Sequence, residues 1–179
     1  MCLTPIGICS FFLIFLMIQN AYSGFESTNV KCTSHDESYA TFEYCFLKAI
    51  NRTYKYVSIK VKLHQVPVRK VKVNFALYER LNGYKPFLYN VTVDACNYLL
   101  KPKGNPVVTF IFGLFAPYSN MNHSCPFNHD VTVEKVPFSY ITSQLTDILP
   151  FPKSSYAFFS EWYGDGKRRA TVEVYGTLT

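Results

Sequence analysis

The chain has 179 residues and a formal net charge of +6 at pH 7, the length of one ordinary domain that buries about two thirds of its unfolded surface. Its Lys and Arg are scattered, as in "YKYVSIKVKLHQVPVRKVKV", rather than gathered into a block. With no nucleic-acid motif present, this distribution argues against nucleic acid as a partner and leaves anionic headgroups or acidic glycans as what a basic face would attract.

The first 25 residues carry no charged side chain, and Ile6 to Ile18 reads "IGICSFFLIFLMI". This run is shorter than the roughly 20 residues of a membrane span. It leads into "QNAYSG", where Ala21 and Ser23 occupy the small-residue positions of a cleavage site. We expect a secretory signal peptide over residues 1–23, a mature single domain over 24–179, and a secreted, extracellular protein without a transmembrane segment.

The elements follow in order. Residues 39–48, "YATFEYCFLK", predict a strand with Phe42 and Tyr44 on one face. Residues 54–66 alternate, with Val57, Ile59, Val61 and Leu63 pointing one way and Ser58, Lys60, Lys62 and His64 the other. Pro67 interrupts, and Val71, Val73, Phe75 and Leu77 then alternate with Lys72, Asn74 and Ala76. Asn82-Gly83 is a turn signal. In "PFLYNVTVDAC", residues 86–96, Phe87, Tyr89, Val91 and Val93 are expected to face inward and Asn90, Thr92 and Asp94 outward.

The period then changes. In "NPVVTFIFGLFAP", residues 105–117, Asn105 suits an N-cap and Pro106 the first helical position. Val107, Phe110, Ile111, Leu114 and Phe115 form a helical stripe, and Val108 and Phe112 make the other side apolar too, so this helix should be buried. A strand is expected at "HDVTVEKV". Residues 138–149 are read as either a short helix or an irregular connection. "SSYAFFSEWY", a turn at Gly164-Asp165-Gly166 and "RRATVEVYGTL" complete a terminal hairpin. The whole predicts a mainly β domain, an antiparallel two-sheet β-sandwich of immunoglobulin-like type, with one inserted apolar helix.

Of six cysteines, Cys2 and Cys9 fall in the leader, which leaves Cys32, Cys45, Cys96 and Cys125. Four cysteines in an oxidising compartment allow three pairings. Cys32–Cys45 with Cys96–Cys125 is favoured, the first across a short connection between strands and the second from a strand end to a loop beyond the helix.

The stretch "NMNHSCPFNHD", residues 120–130, places Cys125 among His123, His129 and Asp130. A nucleophilic cysteine must be a free thiolate beside a base, and zinc needs several ligands at suitable spacing. Neither pattern is present, so no metal, cofactor or catalytic residue is expected and Cys125 is read as half of a disulfide. His35, His64 and His129 are read as surface residues, and Lys167-Arg168-Arg169 as a solvated turn. Three N-glycosylation sequons, at Asn51, Asn90 and Asn122, should all face solvent.

Phe, Tyr and Trp number 16, 14 and 1. They either fill the sandwich core or wall a cavity, for which Phe110, Phe112, Phe115, Phe158, Phe159 and Trp162 are the candidate lining.

Taken together, "STNVKC" at 27–32, "YCFLKAINRTYKY" at 44–56, "VKVNFALYERLNGYKPFLYNVTVDAC" at 71–96, "NHSCPFNHDVTVEK" at 122–135 and "LPFPKSSY" at 149–156 resemble a large insect family of secreted proteins with a domain of unknown function, which includes the chemosensory CheB proteins. That family is distantly similar to the ganglioside-activator and ML-type lipid-recognition proteins. The resemblance implies a β-cup or sandwich of ML-like type that holds a hydrophobic ligand between two sheets, in a pheromone or chemosensory setting. A membrane receptor is a further expected partner. Without it, the residues leave three readings: a lipid carrier, an extracellular interaction protein with a filled core acting on a receptor or glycan, or a hydrolase. The last is least supported, because G-x-S-x-G is absent and no spacing pairs Asp94, Asp130, Glu134 or Glu161.

Overall fold

The computed structural model describes residues 25–102, 104–148 and 151–178, with the backbone alone for 146–148. The expected leader, with Cys2 and Cys9, lies outside the described residues. Eight strands form two antiparallel sheets. They are β1 (Phe25–Ser34), β2 (Ala40–Ala49), β3 (Lys55–Leu63), β4 (Val71–Leu81), β5 (Gly83–Asp94), β6 (Val131–Pro137), β7 (Ser155–Gly164) and β8 (Lys167–Leu178). The larger sheet has the order β1-β8-β7-β4-β5 and the smaller β2-β3-β6. Among the described residues three helices punctuate them: α1 (Ala95–Leu100), α2 (Pro106–Gly113) and α3 (Phe138–Ile148), with a 3₁₀ turn at Ala116–Tyr118. This is the two-sheet sandwich that alternation predicted.

Alternation works where pairing is regular. Val57, Ile59, Val61 and Leu63 of β3, and Val71, Val73, Phe75 and Leu77 of β4, all face the space between the sheets. It fails at bulges. Register shifts between Phe42 and Tyr44, so Phe42 faces inward while Tyr44 turns outward and donates to Glu134. Another irregularity opposes Tyr78 to Pro86 and Ala76 to Asn90. Leu88 there has φ 59°, and Tyr89 is exposed instead of inward-facing. On β6 the bulged Lys135, at φ 51°, donates its N–H to the buried Ser58 hydroxyl at 2.9 Å. Ser58, on the polar side of β3, is therefore buried because it satisfies a bulge.

The turns are those their residues favour. Asp165 and Gly166 both have positive φ, 51° and 79°, the conformation of a tight β7–β8 hairpin. Strand β1, not anticipated from the sequence, pairs with β8 along its length.

The helix over 105–117 is shorter than expected. Asn105 caps it, its side chain accepting from the N–H groups of Val107 and Val108. It stops at Gly113, because Pro117 has no N–H to give the Gly113 carbonyl. Tyr140 of α3 donates to that carbonyl instead, at 3.1 Å. Of the expected stripe, Ile111, Leu114 and Phe115 face the cavity, joined by Val108 and Phe112 from the other side, while Val107 and Phe110 pack at the margin of the Val73, Phe75 and Ile111 cluster. Helix α1 was read as the end of a strand. Asp94, expected simply to face out, is its N-cap, accepting from Asn97 N at 3.0 Å.

Both disulfides pair as favoured, Cys32–Cys45 and Cys96–Cys125. The first joins β1 to β2, the edge strands of opposite sheets. The second fastens the start of α1 to the loop before β6. Removing Cys32–Cys45, whose halves are 13 residues apart, should cost about 3 kcal/mol on the loop-entropy model, a fall of roughly 6–12 °C in Tm for a domain of this size. Differential scanning calorimetry of the Cys32→Ala/Cys45→Ala variant measures it. Ser58→Ala should cost about 1–3 kcal/mol, because the Lys135 N–H is left unpaired.

Candidate functional site

The sheets do not meet. Between them lies a cavity of about 340 Å³. One side is closed by β1 and β2 with their disulfide. On the opposite side, α1 packs on β4 and β5, and α2 leads to the 3₁₀ turn, which contacts β6. At one end Tyr39, Ala40, Val68, Met121 and Phe127 form a buried cluster, tied by paired main-chain hydrogen bonds between Val68 and Phe127 at 2.8 and 2.9 Å. At the other end Phe138, Ile141 and Leu145 of α3 line the wall, and Phe25 stacks on Phe138 with ring centroids 6.0 Å apart. The amphipathic stripe at 138, 141 and 145 resolves the open reading of this segment as helix.

Four of the six candidate lining residues come together on this wall: Phe112, Phe115, Phe158 and Trp162. Two do not. Phe110 packs against the Val73, Phe75 and Ile111 cluster instead. Phe159 alternates with Phe158 along β7 and so lies on the outer face, edge-on to Tyr78 at 4.9 Å. Sequence reasoning missed Tyr39, Met121 and Phe127 at one end and the α3 residues at the other. Signals for α3 were available in the i, i+3, i+7 spacing of Phe138, Ile141 and Leu145.

The wall is almost wholly carbon. Its polar groups are mostly engaged with one another. Ser160 accepts from Trp162 Nε1 at 3.0 Å, Tyr98 donates to Thr109 at 3.2 Å and Tyr156 to the Pro152 carbonyl at 2.7 Å. Arg169, expected in a solvated turn, is instead drawn in. Its side chain is 12% exposed, ion-paired with Asp36, bonded through Nε to the Gly164 carbonyl at 3.1 Å and stacked 4.0 Å over the Tyr39 ring. Arg168 pairs with Glu161 at 2.9 Å. Lys167 and Arg168 are both exposed, so only Arg169 of the three departs from the solvated reading.

The carboxylates weighed for hydrolysis each have a structural partner. Asp94 caps α1, Asp130 accepts from Leu63 N at 3.2 Å, Glu134 accepts from Tyr44 and Glu161 binds Tyr163 and Arg168. Among the described residues no group of three or more His, Cys, Asp or Glu could hold a metal. In the 120–130 loop, Cys125 is in its disulfide, Asn120 bridges to the Asp130 carbonyl at 2.7 Å and the Thr132 N–H at 2.9 Å, and the rings of His123 and His129 meet at 2.7 Å. His35 and His64 are exposed and His129 partly buried. Asn51, Asn90 and Asn122 are all exposed.

Two predictions follow from the Tyr39 end. A Cβ on Gly164 would lie 2.7 Å from Tyr39 Cζ and closer still to Oη, so Gly164→Ala must displace the ring at a cost of about 1–3 kcal/mol, readable by urea denaturation. The Ser38 hydroxyl first, and then Arg169, hold the Asp36 carboxyl below its ordinary pKa against the effect of burial. A depressed carboxylate stabilises above its unfolded pKa, and that stability is lost as pH falls through the folded one. Asp36→Asn should therefore flatten the loss of Tm below about pH 4 and lower Tm at neutral pH.

Residues 73–158 match the family model described as a protein of unknown function (DUF1091). No curated protein matches the sequence. Among solved structures, the chain is similar to the crystal structure of a Niemann-Pick type C2 protein from Japanese carpenter ant. The identity is 15%, the TM-score 0.32, and the match covers 90% of this chain and 98% of that one.

Proposed function

We propose that this chain is a secreted, non-enzymatic carrier that holds a lipid or other hydrophobic small molecule between its two sheets. The observation that supports this reading is the 340 Å³ cavity with its apolar wall. Left unfilled, a void of that size would cost about 8 kcal/mol at roughly 24 cal/mol per Å³, comparable to the entire stability of a typical domain, about 5–15 kcal/mol. Water is a poor filler, since each molecule needs about 2–4 polar partners and the wall offers almost none. An apolar guest meets the wall on its own terms, and the volume falls within the range of about 300–1,000 Å³ common for small-molecule sites.

The cavity also weighs against a protein with a filled core acting through its surface. Engagement of the carboxylates in caps, bulges and ion pairs weighs against hydrolysis. Extracellular placement is supported by the two disulfides and the three exposed sequons. We extend the proposal to a chemosensory or pheromone role, which the family resemblance supports, and to a membrane receptor as a further partner; among the described residues no helix is long and apolar enough to cross a membrane.

The test is to block the space. Val61 projects into the cavity from the central strand of the smaller sheet. Val61→Trp should retain the β-rich circular dichroism of the parent and lose at least about tenfold in affinity for the fluorescent hydrophobe N-phenylnaphthylamine, equivalent to about 1.4 kcal/mol. Unchanged affinity in a folded variant would place the binding elsewhere.

A further inference from the structure

Few side chains on the cavity wall carry nitrogen or oxygen, and among the described residues none of those atoms is offered to a guest. Trp162 Nε1 donates to Ser160 Oγ at 3.0 Å, and that hydroxyl turns to the Val172 carbonyl at 3.4 Å. The hydroxyls of Tyr98, Tyr156 and Tyr163 donate to Thr109 at 3.2 Å, to the Pro152 carbonyl at 2.7 Å and to Glu161 at 2.7 Å. Arg169 engages its guanidinium with Asp36, the Gly164 carbonyl and the Tyr39 ring. The Tyr39 hydroxyl has no partner, yet it is fully buried against Gly164 and shielded from the space beside it.

The other side chains on the wall are hydrocarbon, apart from the Met121 thioether. Beneath them, the main chains of β4, β7 and β8 are paired with one another along their ladders. Small-molecule sites ordinarily set a few polar groups in an apolar wall to orient the guest. Here the polar groups face one another, and the guest meets carbon.

Resting on the carrier reading, we propose that the part of the ligand inside the cavity is an unbroken hydrocarbon chain, with no oxygen or nitrogen along its buried length. Selectivity then comes from exclusion. An oxygen carried in leaves its water and meets no donor, and a carboxylate meets no free cation, since the Arg169 charge is matched by Asp36. A ring system that buries a hydroxyl or keto group is rejected on the same ground. Two sources supply such a chain: a free hydrocarbon, or the tail of a lipid whose head stays in water.

The experiment uses the delipidated, full-length protein secreted from cultured cells. Hexadecane, a hexadecanone with its carbonyl at mid-chain, and palmitate, each delivered from cyclodextrin, compete with N-phenylnaphthylamine. Hexadecane should bind at least about fivefold more tightly than the ketone, the low end of what an unpaired buried polar group costs. Val61→Thr adds one hydroxyl to the wall. It should keep the parent's circular dichroism and narrow that gap by about 2- to 10-fold, the yield of one hydrogen bond. Palmitate separates the two sources. Binding as tight as that of hexadecane assigns the chain to a lipid with its head outside, and weaker binding assigns it to a free hydrocarbon.

A ketone that binds as tightly as hexadecane would overturn the inference, because the wall would then supply a donor, and would leave the carrier reading intact. So would a gap that Val61→Thr leaves unchanged, because the discrimination would not come from the wall. Failure of all three probes to displace the dye would overturn the carrier reading and this inference together.

Discussion

A five-stranded sheet faces a three-stranded one, and the mismatch governs the rest of the molecule. Three strands cannot cover the inner face of five. The uncovered apolar face of β4 and β5 has to be sealed by something else, and α2 supplies it, apolar on nearly every side. Sheets that pack directly lie about 10 Å apart with interdigitating side chains. Here a helical segment bridges from the β4–β5 edge to β6 on one side, and Cys32–Cys45 sets the spacing of β1 and β2 on the other. Cys96–Cys125 then fixes where the helical segment begins and where the loop after it returns. The cavity is the space these closures leave.

Much of this was legible in residues, and what was not has identifiable causes. Strands β3 and β4 announce themselves because Val57 to Leu63 and Val71 to Leu77 alternate without a break. The same rule misplaced Tyr44 and Tyr89, since each lies at an irregularity where one strand carries extra residues and the strict alternation breaks, and nothing local marks them. Strand β1, "FESTNVKCTS", is polar enough to hide its pairing; its order comes from β8, more than a hundred residues away in sequence. An all-round apolar helix does not declare which side will be deepest, so the stripe of α2 and its opposite side both contribute to the wall. Phe159 was chosen with Phe158 on composition, yet neighbours on a strand must face opposite ways.

The polar chemistry was harder to foresee because it is non-local. Arg169 reads as part of a basic turn until Asp36, 133 residues earlier, reaches it across the fold. Tyr39 reads as the first aromatic of a strand. Its place between Gly164 and the Arg169 guanidinium exists only once the β7–β8 hairpin packs over it. Ser58 is similar: its alternation with Val57 and Ile59 says outward, but the β6 bulge over it turns an outward position into a buried one. By contrast, the cysteine pairing was accessible early, since chain order and a short span favoured Cys32–Cys45 and left Cys96–Cys125.

The central claim is that the space between the sheets holds a hydrophobic molecule. Its most direct test is native mass spectrometry of the protein secreted from cultured cells, followed by organic extraction and identification of what is released. The account predicts an apolar molecule that remains bound under native conditions and leaves on unfolding. Protein that emerges without any such molecule, and that after delipidation takes up no offered lipid or hydrocarbon, would contradict it.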